Sequence, residues 1–228
     1  MDLLAWAIIN KEALKILYGL IITLICFIIV LRTHKLYRIS LHKGIRYFRN
    51  AFFFYGTGFF AKYVLESLAF IFRMDNVVTQ IISILFKFFL VMAGFFLVYS
   101  LLWKKIETSK DDYSSSLFNL KISIFYIMAI IIVILDSVWL THFFTFASQI
   151  IVFALASIIS LVNYQRNPQR QFLKFYFIAM VLSLIAWLLN AFIALYFQLN
   201  SVISISIFLI NTLIFLLFLY GVVKFTNK

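Results

Sequence analysis

Apolar residues run through this chain in seven long blocks, approximately 12–31, 51–72, 77–103, 120–140, 143–163, 172–197 and 201–223, separated by short polar gaps. Each block supplies about the 20 residues that an α-helix rising 1.5 Å per residue needs to cross roughly 30 Å of hydrocarbon. Open strands cannot satisfy their backbone polar groups in lipid, so the pattern predicts helices throughout. The expected fold is an all-α integral membrane protein, one seven-transmembrane-helix bundle over residues 1–228. The third block is long enough to tilt or to extend past the bilayer. The first is not read as a cleaved signal: no small-residue cleavage site follows it, and its basic flank, Arg32 to Arg49, comes after the apolar stretch. Residues 1–10, with Trp6, form an interfacial turn or extend helix 1.

The gaps set an orientation. Arg32, Lys35, Arg38, Lys43, Arg46 and Arg49 fill the first gap. Lys104, Lys105, Lys110 and Lys121 follow helix 3, and Arg166, Arg170 and Lys174 follow helix 5. Lys224 and Lys228 lie in the tail, whereas the alternate gaps hold only Lys11, Lys15 and Arg73. An excess of cations on one side marks the cytoplasm, which predicts a multi-pass protein of the cell membrane with its N-terminus outside and its C-terminus inside. The outer gaps 73–76, 141–142 and 198–200 leave no room for a folded ectodomain. The Lys/Asp/Ser stretch from Lys104 to Ser116 is the expected mobile connector.

Composition supports a bilayer setting. Hydrophobic residues are 65% and charged residues 12% of the chain, against roughly 45–50% and 25% in a soluble domain. A soluble core of this size could not hide 29 Phe, but lipid accepts apolar side chains on every face of a helix. The net charge of +12 then points to anionic headgroups at the cytoplasmic face and not to nucleic acid. Cys26 is the only cysteine, so an intrachain disulfide or a Cys-based metal cluster is excluded. No HExxH, GxSxG or DxD-type cluster occurs, so the chain is not read as an enzyme and no cofactor is implied. Lys224 stands at the end of the last block, not at its middle, which removes a retinal Schiff base. One His with one Asp, His142 and Asp136, makes no metal site. Gly56 and Gly58, and the pair Ala156 and Ser160, read as close-packing points.

Charged groups at mid-membrane cost about 2.5–3.5 kcal/mol each or more, so those inside the blocks need a reason. Helix 2 carries Lys62 and Glu66, helix 3 Lys87, and helix 4 Asp136. Lys62 and Glu66 are four residues apart and share a helix face on which they can pair. By depth, Asn190, Gln149 and Asn211 fall near the same level, and Tyr63 and Trp187 would add aromatic walls. The candidate site is therefore Lys62, Tyr63, Glu66, Lys87, Asp136, Gln149, Trp187, Asn190 and Asn211, opening toward the outside. Three uses stay open: ion pairs and amides that only fix helix packing, a pocket for a small ligand, or a path for an ion or solute.

Two wider patterns complete the reading. At a constant offset, Arg46 meets Arg170, Phe53 meets Phe177, Tyr63 meets Trp187, Leu65 meets Leu189 and Glu66 meets Asn190. A duplicated three-helix unit joined by helix 4 would produce this. The run Phe59-Phe60-Ala61-Lys62-Tyr63-Val64-Leu65-Glu66, after the basic start at Arg46, resembles the second helix of the seven-helix sensor region that precedes many membrane histidine kinases. That resemblance implies a receptor-like sensory module. With no output domain before Lys228, it further implies a separate cytoplasmic signalling partner. Length, orientation and the 3+1+3 pattern also look like SWEET-type sugar transporters, although their hinge prolines are missing: the single proline is Pro168, in a gap. A structural membrane scaffold is the third reading.

Overall fold

A computed structural model describes residues 11–106, 120–139, 142–166, 171–196 and 201–226. The segment 1–10 with Trp6, most of the Lys104–Ser116 connector, Pro168 and the gap 198–200 lie outside the described residues. The described chain is all-helical. Helix α1 is Lys11–Ser40. Helix α2 runs from Lys43–Phe59 through a π-helical turn, Phe60–Leu65, into Glu66–Ile71. Then follow α3 (Asn76–Ile106), α4 (Leu120–Val138), α5 (Phe143–Arg166), α6 (Gln171–Tyr196) and α7 (Ser201–Thr226).

Five of these contain stretches long and apolar enough to cross a membrane: Glu12–Ser40, Asn76–Trp103, Phe143–Arg166, Leu173–Ile193 and Ile207–Lys224. A sixth apolar stretch, Ile122–Val138, is shorter. Helix α2 is the polar exception, with its basic start and with Lys62 and Glu66 inside it. The helices outrun the apolar blocks at the basic gaps. Helix α1 continues to Ser40 and α2 begins at Lys43, so Arg32, Lys35, Arg38, Arg46 and Arg49 sit on helical turns and only Leu41 and His42 break the hairpin. Leu41, at φ 50°, takes the left-handed conformation that reverses the chain, and Arg73, also at φ 50°, does the same after α2.

Packing closes a ring. Helix α1 packs on α2, α2 on α3, α3 on α5, α5 on α6, α6 on α7, and α7 back on α1; α4 lies outside against α3 and α5. This order maps onto itself when α1, α2 and α3 are exchanged with α5, α6 and α7. Leu24, Phe27 and Leu31 on α1, Ile127, Ile131 and Ile134 on α4, and Ile151, Leu155 and Ile158 on α5 form exposed stripes at i+3 and i+4 spacing. Large apolar side chains turned outward on helix after helix suit a lipid surround and not water.

The ring interior is aromatic. Tyr47, Phe52, Phe96 and Tyr99 are almost wholly buried. Tyr47 meets Tyr99 edge-on at 4.5 Å, and Phe54 stacks on Phe96 at 5.3 Å, tying α2 to α3. Such pairs contribute about 0.5–1.5 kcal/mol beyond the area they bury. Two glycines permit close approach here. A Cβ on Gly56 would lie 3.0 Å from the Cβ of buried Cys26, and one on Gly58 would lie 3.3 Å from that of Phe89. Ala156 and Ser160 are both buried on α5.

Candidate functional site

Helix α2 changes winding where the polar residues begin. At the end of the π turn the Glu66 N–H donates to the Ala61 carbonyl, five residues back instead of four. Neighbours on this turn face different ways. Lys62 and Glu66 remain together, with the ammonium Nζ 2.9 Å from Oε1 and 2.7 Å from Oε2, both side chains about one-third exposed. Tyr63 instead turns into the ring, where it meets Tyr18 of α1 edge-on at 4.8 Å and Phe208 of α7 at 5.5 Å. Tyr18 stacks on Phe208 at 4.2 Å, so three rings fasten three helices. Gly19 makes room for this: a Cβ there would lie 2.6 Å from that of Tyr63.

Asp136, fully buried near the end of α4, serves the start of α5. Its carboxylate accepts the backbone N–H groups of Phe144 at 2.9 Å and Thr145 at 3.1 Å, and also the Thr145 hydroxyl. The first turn of a helix leaves N–H groups without intrahelical partners and carries partial positive charge, so a buried carboxylate from the preceding helix fits both needs. Lys87 Nζ stands 3.9 Å from Asp136 Oδ2, longer than a hydrogen-bonded pair. Gln149, one helical turn further along α5, donates from Nε2 to the Leu90 carbonyl at 3.2 Å. Its amide rests over Gly94, whose missing side chain lets α3 and α5 approach: a Cβ there would lie 3.1 Å from Gln149 Oε1.

Between these nodes lies a cavity of about 280 Å³, walled by α2, α3, α5, α6 and α7. Its two ends differ. Tyr63, Lys87, His142, Thr145, Asn190 and Asn211 line the end near the Arg73 turn, among Phe146, Trp187, Ile193, Ile207 and Phe208. Phe52, Leu97, Phe153 and Phe218 line the end toward the basic residues. There the cavity stops at a layer of rings: Phe48 lies 4.8 Å from Phe52 and 5.8 Å from Tyr176, and Phe52 lies 5.1 Å from Phe218. His142, in the connector before α5, has its protonation held below the usual histidine range, first by desolvation and then by the Lys87 and Lys62 charges.

Of the residues that depth along the helices groups together, Tyr63, Lys87, Trp187, Asn190 and Asn211 line this cavity. Lys62 and Glu66 pair beside it, while Asp136 and Gln149 lie fully buried behind its wall. His142, Thr145, Ser183 and Tyr55 also line it and carried little sequence signal. Thr145, in the first turn of α5 and nine residues after a buried Asp, is the detectable exception. Among the described residues no group of three or more His, Cys, Asp or Glu could hold a metal ion.

No protein-family model matches the chain, and no solved structure matches it. It is 33% identical over 107 residues to an uncharacterized protein of Archaeoglobus fulgidus, a match covering 42% of this chain and 45% of that protein. The chain thus spans less than half the length of that relative.

Proposed function

We propose that this chain is a seven-span, receptor-like membrane sensor with its N-terminus outside, which binds a small ligand in the central cavity. The observation that carries the reading is the cavity itself. Its charged and amide side chains gather toward one end, apolar side chains line the rest, and its wall is five helices whose packing a ligand would alter. With the basic ends of the helices in the cytoplasm, the Lys87 end faces the outer half of the bilayer. The ring layer of Phe48, Phe52, Tyr176 and Phe218 separates it from the cytoplasmic end. Ligand contacts that differ between two packings of the ring would shift their populations, and the basic helix ends would pass the change to a separate cytoplasmic partner.

The ring order favours a second reading, a small-solute or proton-coupled transporter. Two three-helix halves related by exchange, with a site between them, are how many carriers are built. Flux distinguishes the two. Proteoliposomes loaded with a pH-sensitive dye and a panel of small solutes should show no protein-dependent movement if the chain is a sensor; solute or proton flux refutes that reading in favour of the carrier. For orientation, a single cysteine at position 108 in a Cys26→Ala background should react with an impermeant maleimide only after the cells are opened. Labelling of intact cells would reverse the topology.

A further inference from the structure

We propose that the cavity takes a membrane-dissolved anionic amphiphile, a fatty-acid-like carboxylate with one short chain, and that this ligand arrives sideways between α6 and α7. The proposal rests on the reading of the central cavity as a ligand site and names what fills it.

Three observations converge. The first is the gradient. An apolar, ring-lined floor at Phe52, Phe153 and Phe218, with Lys87, Asn190 and Asn211 set among apolar side chains toward the other end, matches a molecule with an apolar tail and a small polar head. At about 280 Å³ the space lies just below the about 300–1,000 Å³ found for small-molecule sites, too small for a two-chain lipid.

The second is charge. An aromatic wall alone would suit a quaternary ammonium, but a Lys87 ammonium at the rim repels a cation. Asp136 offsets part of that charge, but it lies behind the wall, so the ammonium is the charge nearer the cavity. The Asp136 carboxylate is engaged by two backbone N–H groups and a hydroxyl at the start of α5, and it stands 3.9 Å from Lys87. An ammonium and two carboxamides, each amide able to donate through its NH2, are a fitting set for a carboxylate head.

The third is a route. A second cavity of about 140 Å³ lies in the α6–α7 seam and shares Ala186, Asn190, Ile193, Ile207 and Asn211 with the first. The rest of its wall is Leu189 and Ile210, 42% and 39% exposed on the outer surface of the ring. An apolar path therefore leads from the lipid-facing surface to the two asparagines at the rim. A ligand already dissolved in the bilayer would use it without crossing water.

Trp187 lines the cavity and reports on it. The test uses the full chain in zwitterionic-lipid nanodiscs, with Trp6, Trp103 and Trp139 changed to Phe, titrated with ω-bromodecanoate and with ω-bromodecanol at equal bilayer concentration. Saturable quenching by the acid, at least tenfold tighter than by the alcohol, is expected, a difference of about 1.4 kcal/mol. Lys87→Gln should erase that preference and Lys87→Arg should keep it. Filling the seam with Leu189→Phe and Ile210→Phe together should slow quenching severalfold with little change in affinity. Equal saturable binding of acid and alcohol overturns the head-group assignment and leaves the cavity reading standing. Quenching that never saturates with either probe overturns the cavity reading itself. An unchanged rate in the seam variant overturns the lateral route and indicates arrival from water. The acid-to-alcohol ratio needs no Lys87 variant, so a variant that fails to fold does not protect the proposal.

Discussion

Replacing Asp136 with alanine removes a fully buried carboxylate that holds the start of α5 and faces Lys87. Two partners compete for credit. Hydrogen bonds to a charged acceptor contribute about 1.5–3 kcal/mol each, and Asp136 accepts three, from Phe144 N, Thr145 N and Thr145 Oγ1. Charges near 4 Å attract by about 4 kcal/mol at an effective dielectric of 20, but desolvating Lys87 takes back much of that. Capping should therefore dominate. Contributions to one carboxylate are not additive, so the loss expected for Asp136→Ala is about 3–5 kcal/mol, the usual result of breaking a buried charged network. Reversible unfolding in mixed lipid–detergent micelles, with Lys87→Met and the double variant completing a cycle, measures it. Asp136→Ala should cost at least about 1.5 kcal/mol more than Lys87→Met, one hydrogen bond to a charged acceptor. The double variant should stay close to Asp136→Ala. Recovery of the double variant to within about 0.5 kcal/mol of wild type would show the ion pair to be the main element and refute the capping account.

Three further outcomes follow from the geometry. Gly19→Ala places a methyl 2.6 Å from the Tyr63 Cβ and should cost about 1–3 kcal/mol, while Gly221→Ala, with nothing within 4 Å, should be neutral or slightly stabilising in the same assay. Lys62→Met or Glu66→Gln alone should destabilise more than Lys62→Met with Glu66→Gln, since each single change strands a charge; a double variant weaker than both singles refutes the pairing. His142 faces Lys87 and Lys62, which disfavour its protonation, and Asp136 and Glu66, which favour it, with the balance downward. The unfolded chain then binds the proton first, near pH 6.5. Stability should be level above that pH, fall as the pH drops toward the lowered folded value, and level off below it. His142→Asn should flatten that part of the pH–stability curve; an unchanged decline assigns it to another group.

The helices were legible because most are long, largely apolar stretches with cations near one end, a signal carried by many residues at once. Which face of each helix turns inward was not. Helices α6 and α7 are apolar nearly all round, so nothing in their periodicity separates Trp187 and Asn211, which line the cavity, from Leu189 and Leu213, which point out. Depth could be counted along each helix, and it brought the polar residues to one level; rotation about the axis decided which of them share a space. Lys62 and Glu66 were readable as a pair because their contact lies within one helix. The partners of Asp136 were not, because they depend on how the connector places the first turn of α5 against the end of α4. The π turn was hidden for a similar reason: the extra residue leaves the composition of α2 unchanged and alters only its winding.

That turn gives α2 a property beyond its part in shaping the cavity. A π turn holds a single surplus residue within an otherwise regular helix, so its position fixes the register of the turns on either side. Placing the surplus on the other side of a stretch would rotate that stretch by about 100°, one residue's share of a turn. If the surplus moved toward Arg73 or toward Arg46, Tyr63 would leave its stack of rings, and the Lys62 and Glu66 face would swing with it. The placing of that one surplus residue in α2 thus sets which way Tyr63 and the Lys62–Glu66 pair face.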